Sequence, residues 1–254
     1  MMLQLGNMKV NNPNLDIIYE DENYVFINKP AGLLSIPDRY NINLINLRTT
    51  LENKYGEIFV VHRLDRDTSG AIMFAKNAEA HKFANDSFEN QSIKRIYHVI
   101  VRGMFPADEL EIDIPLLTDS SERGRVVPSA RGKYSLTKVR LLQKFRLATL
   151  LECELVTGRQ HQIRVHLAAI GHPLLIDGVY GDSSEFFLSR IKKNYNADKN
   201  IEEKPIFNRL SMHAYSLIFD DIFTNKEINV SAHYPKDFEI LTKQLKKYSK
   251  FSTL

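Results

Sequence analysis

The stretch HRLDRDTSG, residues 62–70, carries the side chains best suited to chemistry. Two Arg, two Asp and one His interrupt an otherwise apolar run there. The segments 58–61 and 71–75 on either side are short, apolar and partly β-branched, which predicts two buried strands. A charged loop between such strands can be a solvated hairpin in which Asp and Arg neutralise each other. It can also present a carboxylate for nucleophilic chemistry.

The motif HRLDxxTSG resembles the signature of the RluA-type pseudouridine synthases. Further segments resemble this family in the same order along the chain: INKPAGLLSIP (27–37), KRIYHVIVRG (94–103), TGRQHQIRVHLAAIGHPLLIDGVYG (157–181) and MHAYSLIF (212–219). The resemblance implies an α+β pseudouridine synthase fold, with a mixed, mainly antiparallel central sheet flanked by helices and an active-site cleft across the sheet. It implies isomerisation of specific uridines in ribosomal or transfer RNA.

The resemblance assigns the catalytic roles to Asp65, Tyr97 and Arg164. Isomerisation moves the ribose C1′ from N1 to C5 of uracil, and a carboxylate can attack sugar or base, or remove a ribose proton. The resemblance assigns this carboxylate role to Asp65. Arg164 matches the family's basic residue that pairs with the aspartate and can bind both carboxylate oxygens at once. Tyr97 is expected to stack on the uracil and to assist removal of the C5 proton.

The resemblance also implies a set of substrate-binding residues. A base inside a stem must be flipped out before it can react, and Arg63 is expected to occupy the vacated stack. The local alternative is an ion pair between Arg63 and Asp67. Ile163 would supply apolar packing beneath the site. The rest of the predicted set is His62, Arg66, Thr68, Arg159 and His161, of which His62 and Thr68 are also interpreted as shaping the loop.

The charge pattern is compatible with a structured RNA partner. A net charge of +3 over 254 residues fits an acidic protein partner equally well. The basic residues, however, cluster in the sequence around positions 63–66, 123–133, 159–164 and 190–193. If the fold brings these clusters together, they form a positive groove that neutralises phosphates.

No metal or cofactor is expected, because the reaction is an isomerisation without redox change. The pair His161 and His166 is spaced i,i+5, which places the two rings on different helix faces, and the single Cys153 offers no thiolate set for zinc. No run approaches the roughly 18 apolar residues of a membrane span, and the N-terminus does not resemble a secretory signal. We therefore expect a cytoplasmic monomer.

The pattern predicts a single catalytic domain, residues 15–254, after a flexible arm, residues 1–14, and without the small S4-like N-terminal RNA-binding domain of many relatives. Helices are predicted over 43–55, after Asn77, over 159–170, within 189–195 and at the C-terminus. Residues 115–133 are predicted to be a basic loop that closes over a ligand, and 183–209 a polar insertion. The sequence IDGVYG departs from the commoner GDxxYG form of the family.

Two other classes of function stay open at this point. The chain could be an RNA-binding or assembly factor with vestigial catalysis, which would bind RNA without isomerising it. It could also be a nucleoside or glycoside hydrolase that uses Asp65, but the sequence shows no second well-placed carboxylate to act as the acid.

Overall fold

Alternating apolar residues build one large sheet. In the strand Lys94–Arg102, Tyr97, Val99 and Val101 pack into one hydrophobic core, whereas Ile100 packs into another on the opposite face. This alternation arises because successive side chains of a strand point to opposite faces. The computed structural model describes residues 15–122, 124–182, 184–195 and 202–250, so the predicted arm 1–14 lies outside the described residues.

The described elements run in the following order: β1 Ile17–Glu20, β2 Tyr24–Lys29, α1 Leu47–Tyr55, β3 Phe59–Val60, β4 Ser69–Ala75, α2 Ala78–Glu89, β5 Lys94–Arg102, β6 Glu109–Asp113, β7 Leu116–Thr118, β8 Val126–Pro128, β9 Leu136–Lys144, β10 Ala148–Leu155, α3 Gln162–Ala169, a 3₁₀ turn Leu188–Arg190, β11 Met212–Asp221, β12 Lys226–Ser231 and α4 Lys236–Tyr248.

Ten described strands share the large sheet, in the order β1-β2-β4-β11-β5-β10-β9-β6, with β12 beside β11 and β3 beside β4. The pair β4–β11 is parallel, and the other pairs in this sheet are antiparallel. This mixed, mainly antiparallel sheet with flanking helices confirms the predicted α+β class. No helix in the described ranges is long and apolar enough to cross a membrane.

The parallel pair fixes the end of the charged loop. Ser69 and Gly70 lie beside His213 and Ala214. Gly70 has φ +118°, and a Cβ at this position would lie 2.1 Å from the carbonyl oxygen of Ala214. Only glycine permits this approach of the two backbones. Ser69 and Gly70, which end the HRLDRDTSG stretch, are therefore held in the sheet by pairing with β11.

The first helix begins later than predicted. Asn46 is its N-cap, and its side-chain oxygen accepts a hydrogen bond from the Thr49 N–H. The predicted start at Asn43 is wrong, because residues 41–44 form their own turn, with the Leu44 N–H donating to the carbonyl of Asn41. Leu44 consequently lies outside the helix and is 39% exposed. At the second helix, the predicted cap at Asn77 is confirmed.

The helix predicted from residue 159 starts instead at Gln162. His161 adopts the left-handed conformation, φ +54°, which no α-helix tolerates, and the Gln162 side chain accepts from the Arg159 N–H. The segment predicted as a closing loop, 115–133, contains the hairpin β7–β8 instead. Leu116 and Val126 of this hairpin are buried against Val165 of α3, so the hairpin packs on the protein.

The polar segment 183–209 is anchored by apolar residues. Its described part contains the 3₁₀ turn, three residues long, where a short helix over 189–195 was expected. Phe186, Ile191 and Phe207 are buried, and the ring of Phe207 lies 6.1 Å from that of Phe238 in α4. α4 itself buries Phe238, Leu241 and Leu245, as its apolar stripe predicts.

Candidate active site

The charged loop, residues 62–68, is held from beneath by buried polar groups. The fully buried Lys29 ammonium donates to the carbonyls of Arg66, Pro30 and Leu33 at 2.8–3.0 Å. The hydroxyl of Ser35 donates to the Leu64 carbonyl at 2.8 Å and accepts from the Leu64 N–H at 3.2 Å. These bonds join the loop to the segment 29–35, and they fix the backbone on both sides of Asp65.

The carboxylate of Asp65 lies near two basic side chains but accepts no hydrogen bond from a described residue. Its side chain is 29% exposed, and its Oδ2 lies 3.7 Å from Arg164 Nη1 and 3.6 Å from His161 Nε2. Among the described residues, none donates a hydrogen bond to this carboxylate; the Thr68 N–H donates to the Asp65 backbone carbonyl instead. The oxygen lone pairs are thus available to a reacting atom, while the nearby guanidinium attracts the negative charge.

The bidentate partner of Arg164 is Asp177. The Nε and Nη2 of Arg164 donate to the two oxygens of Asp177, each at 2.7 Å. The predicted two-oxygen bond from Arg164 to Asp65 is therefore wrong, and only Nη1 faces Asp65. Burial by itself would lower the pKa of Arg164, but the ion pair with Asp177 raises it. Asp177, buried and accepting also from the N–H groups of Val179 and Tyr180, is the anchor that aims Arg164.

Tyr180 provides a second support. Its hydroxyl lies 2.9 Å from His161 Nδ1 and accepts from the Val126 N–H at 2.9 Å. The guanidinium of Arg164 lies 5.0 Å from the centre of its ring, a cation–π distance. Burial lowers the pKa of His161, and the negative charge of Asp65 opposes this shift. Tyr180 thus holds both groups that approach the Asp65 carboxylate.

Tyr97 lies at the floor of the site. It belongs to β5, is 7% exposed and packs in the same core as Ile163. Burial raises the pKa of its phenol to about 12, opposed by Arg95 and reinforced by Asp65. The ring is therefore a neutral phenol at physiological pH. This favours stacking on a base over action as a proton acceptor.

A cleft of about 960 Å³ brings the predicted set together. It crosses strands β5, β10 and β11, which contribute Tyr97, Leu155 and Met212. Of the ten predicted site residues, nine line it: Asp65, Tyr97, Arg164, Arg63, His62, Ile163, Thr68, Arg159 and His161. The tenth, Arg66, lines a neighbouring cavity of about 650 Å³, and its Nε donates to the Gly32 carbonyl.

Arg63 extends into solvent between these two cavities. It lines both of them, and it forms no hydrogen bond or ion pair with any described residue. The local alternative, a pair with Asp67, is therefore not formed. An extended, unpaired guanidinium beside the cleft is available to a nucleic acid.

Two residues of the site were missed from the sequence, Asp177 and Tyr180. Both lie in the segment IDGVYG. The available signal was an acidic residue directly after the apolar run Leu174-Leu175-Ile176, because a carboxylate placed in a buried segment needs a partner.

The half-buried His62 and the buried His213 support the loop and the start of β4, and they make this region sensitive to acid. His62 Nε2 accepts from the Met73 N–H at 3.0 Å, and His213 Nδ1 lies 3.0 Å from the Ser69 hydroxyl. Burial, together with the charge of Arg95, lowers the pKa of His62 to about 3. Burial likewise lowers the pKa of His213 to about 4.

These shifts predict that the protein loses stability as the pH falls from about 6.5 to about 4. Unfolded His binds a proton near pH 6.5 whereas the folded rings stay neutral. These two rings therefore lower the unfolding free energy only as the pH falls below about 6.5. We expect a loss on the order of 1 kcal/mol per pH unit for each ring. Urea titrations at pH 7.5, 6.0, 5.0 and 4.5 measure it. His213→Gln should reduce the slope, and an unchanged slope would contradict the assignment.

Comparison with known proteins identifies the family. The family model described as RNA pseudouridylate synthase matches residues 23–169, more than half of the chain. Ribosomal large subunit pseudouridine synthase D of Zymomonas mobilis is 35% identical, over 91% of this chain and 73% of that protein. The dual-specificity RNA pseudouridine synthase RluA of Vibrio vulnificus is 36% identical, over 74% and 78%.

A solved structure agrees on the fold. Human RNA pseudouridylate synthase domain containing 4 superposes with a TM-score of 0.68 at 24% identity, over 91% of this chain and 92% of that one. At this identity, the likeness concerns the fold alone. The sequence matches establish that the chain belongs to the RNA pseudouridylate synthase family, in its RluA-type branch, whose reaction is the isomerisation of uridine in RNA.

Proposed function

We propose that this enzyme isomerises a flipped-out uridine of a structured ribosomal or transfer RNA, with Asp65 as the catalytic residue. The observation that carries the proposal is that the Asp65 carboxylate accepts no hydrogen bond from a described residue and faces the same cleft as the neutral ring of Tyr97. The names of two relatives, one a ribosomal large subunit enzyme and one dual-specificity, make ribosomal RNA the first substrate to test.

In the proposed reaction, the bond from C1′ to N1 breaks, the base turns, and C1′ bonds to C5. The C5 hydrogen leaves as a proton and N1 gains one, so no external group is consumed. Whether the carboxylate attacks the sugar, attacks the base or removes a ribose proton, Asp65 supplies the electron pair. The positive guanidinium of Arg164 attracts the Asp65 carboxylate and holds it in place. Tyr97 holds the detached uracil by stacking while the base turns.

Substrate binding follows from the charges around the cleft. Arg63 is proposed to fill the stack that the uridine leaves, and Arg159, exposed at the cleft wall, to contact phosphate. Asp65, Tyr97 and Arg164 come from one chain, which supports action as a monomer. A ribosomal or transfer RNA substrate supports a cytoplasmic location.

Release of tritium from RNA labelled at uridine C5 tests the proposal. Forming the new bond at C5 expels the label, so unmodified ribosomal and transfer RNA should each be tested as transcripts. We expect release from at least one of them, and sequencing of the product would then locate the uridine. Tight binding with no release from any RNA would favour the binding-factor alternative, and release of free uracil would indicate a hydrolase.

A further inference from the structure

The loop of residues 38–45, which we call the rim loop, exposes an unusual amount of apolar surface. Tyr40 is 74% exposed and Ile42 is 78% exposed, and Leu44 and Ile45 are exposed as well. Four of the six residues from 40 to 45 are thus large, apolar and in contact with solvent. Clustered exposure of this kind marks an interaction site more often than isolated apolar residues do.

The rim loop is an ordered turn. The Asp38 carboxylate accepts hydrogen bonds from the N–H groups of Tyr40 and Asn41, both at 2.9 Å. At the far end, the N–H of Leu47 donates to the Leu34 carbonyl at 2.9 Å. These bonds hold the loop closed at both ends, so its side chains project from a defined backbone and the backbone loses little entropy on binding a partner.

The rim loop adjoins the catalytic cleft. Asp38, Arg39 and Tyr40 line the same cleft of about 960 Å³ as Asp65 and Tyr97. Arg39 is exposed, and within the described parts of the chain it forms no hydrogen bond or ion pair. An exposed aromatic ring beside an available cation is the combination with which proteins hold unpaired nucleotides, by stacking on the base and pairing with the phosphate.

We propose that Tyr40 is a stacking platform for an unpaired base of the RNA next to the isomerised uridine, and that Arg39 contacts the adjoining phosphate. The inference rests on the proposed function and assigns a specificity-determining surface to it. RNA is the favoured occupant because the rim loop is continuous with the cleft that takes the target nucleotide. A protein partner or a second copy of the chain would bury the same residues.

Fluorescence offers a direct test, since the chain contains no Trp. Tyr40→Trp would place a single indole on the proposed platform. The probe is an RNA stem–loop with unpaired uridines in its loop. We expect its binding to quench the indole emission, as stacking on a base does.

The matched control for this experiment is Ile222→Trp. Ile222 is 51% exposed and follows the end of β11, ten residues beyond Met212 of the cleft, which is roughly 30 Å along an extended strand. Its emission should not change on binding. Equal emission from Tyr40→Trp with and without bound RNA would overturn the proposal.

Affinity provides the second readout. Tyr40→Ala should weaken binding of the stem–loop roughly tenfold, within the range found for base–aromatic stacking, and Tyr40→Phe should restore it. We expect the melting temperature to stay close to wild type, because the Tyr40 side chain is 74% exposed. Unchanged affinity of Tyr40→Ala would overturn the proposal.

Failure of this inference is distinguishable from failure of the proposed function. If the wild type releases tritium and Tyr40→Ala binds RNA equally well, only the stacking role is lost. If the wild type releases none from any RNA, the catalytic proposal fails, whereas quenching of Tyr40→Trp would still support the platform. A Tyr40→Ala variant that alters sedimentation of the free protein but not RNA affinity would assign the rim loop to a protein interface and overturn the proposal.

Discussion

Asp65→Asn is expected to abolish isomerisation while RNA binding persists. The amide has nearly the shape of the carboxylate but lacks its negative charge, and it is a far weaker nucleophile and base. Because no described residue donates a hydrogen bond to the Asp65 side chain, its replacement leaves no buried donor stranded and the loop should keep its fold. We expect tritium release to fall by at least about 10⁴-fold, the order seen when a nucleophile is removed.

Asp67→Asn is the matched control for this experiment. Asp67 lies in the same loop, is exposed, and forms no hydrogen bond or ion pair with a described residue. The Asp67→Asn substitution removes one negative charge from the same loop. It therefore separates the chemical role of Asp65 from general electrostatic effects on RNA binding. We expect near-normal release from Asp67→Asn and similar RNA affinity in both variants. Turnover by Asp65→Asn comparable to wild type would refute the catalytic assignment.

Breaking the pair of Arg164 and Asp177 is expected to destabilise the protein strongly. The pair is buried and bidentate, so removal of one partner leaves an uncompensated charge inside the fold. Arg164→Ala and Asp177→Ala should each lower the unfolding free energy by about 3–5 kcal/mol, measured by urea titration. Asp177→Ala also leaves the N–H groups of Val179 and Tyr180 without their acceptor.

A double substitution separates stability from function. Arg164→Met combined with Asp177→Leu removes both charges, and such apolar replacements of buried ion pairs often recover stability. We expect this variant to be more stable than either single Ala variant and still inactive, because Asp65 would lose its guanidinium neighbour. Full activity in the double variant would show that Arg164 is dispensable.

The pair of Arg209 and Asp237 is the comparison for this series. It too is bidentate, but the side chain of Asp237 is substantially exposed. Solvent screens such a pair, so Arg209→Ala should cost no more than about 1 kcal/mol through the lost ion pair. A cost as large as that of Arg164→Ala would indicate that burial is not what makes the Arg164 pair important.

The rim loop shows where sequence patterns fail near a site. Leu44 and Leu47 are spaced as one helix face, which predicted a helix from Asn43, yet the helix begins after Asn46 and leaves Leu44 in solvent. Periodicity assumes that apolar residues seek the core. Disagreement of this kind is expected where a surface is kept apolar for binding, and here it coincides with the cleft rim.

The sequence by itself determined the strands that carry the site, the family and the predicted importance of Asp65 and Tyr97. These depend on local alternation and on a contiguous motif, both of which can be read within a few residues. Only the tertiary structure decided that Arg164 binds Asp177 with two hydrogen bonds and faces Asp65 with one nitrogen. The choice of an ion-pair partner depends on which carboxylate lies within 2.7 Å of the guanidinium, with the other at 3.7 Å, and on which carboxylate is buried. Both are fixed only when the chain after α3 folds back against the loop.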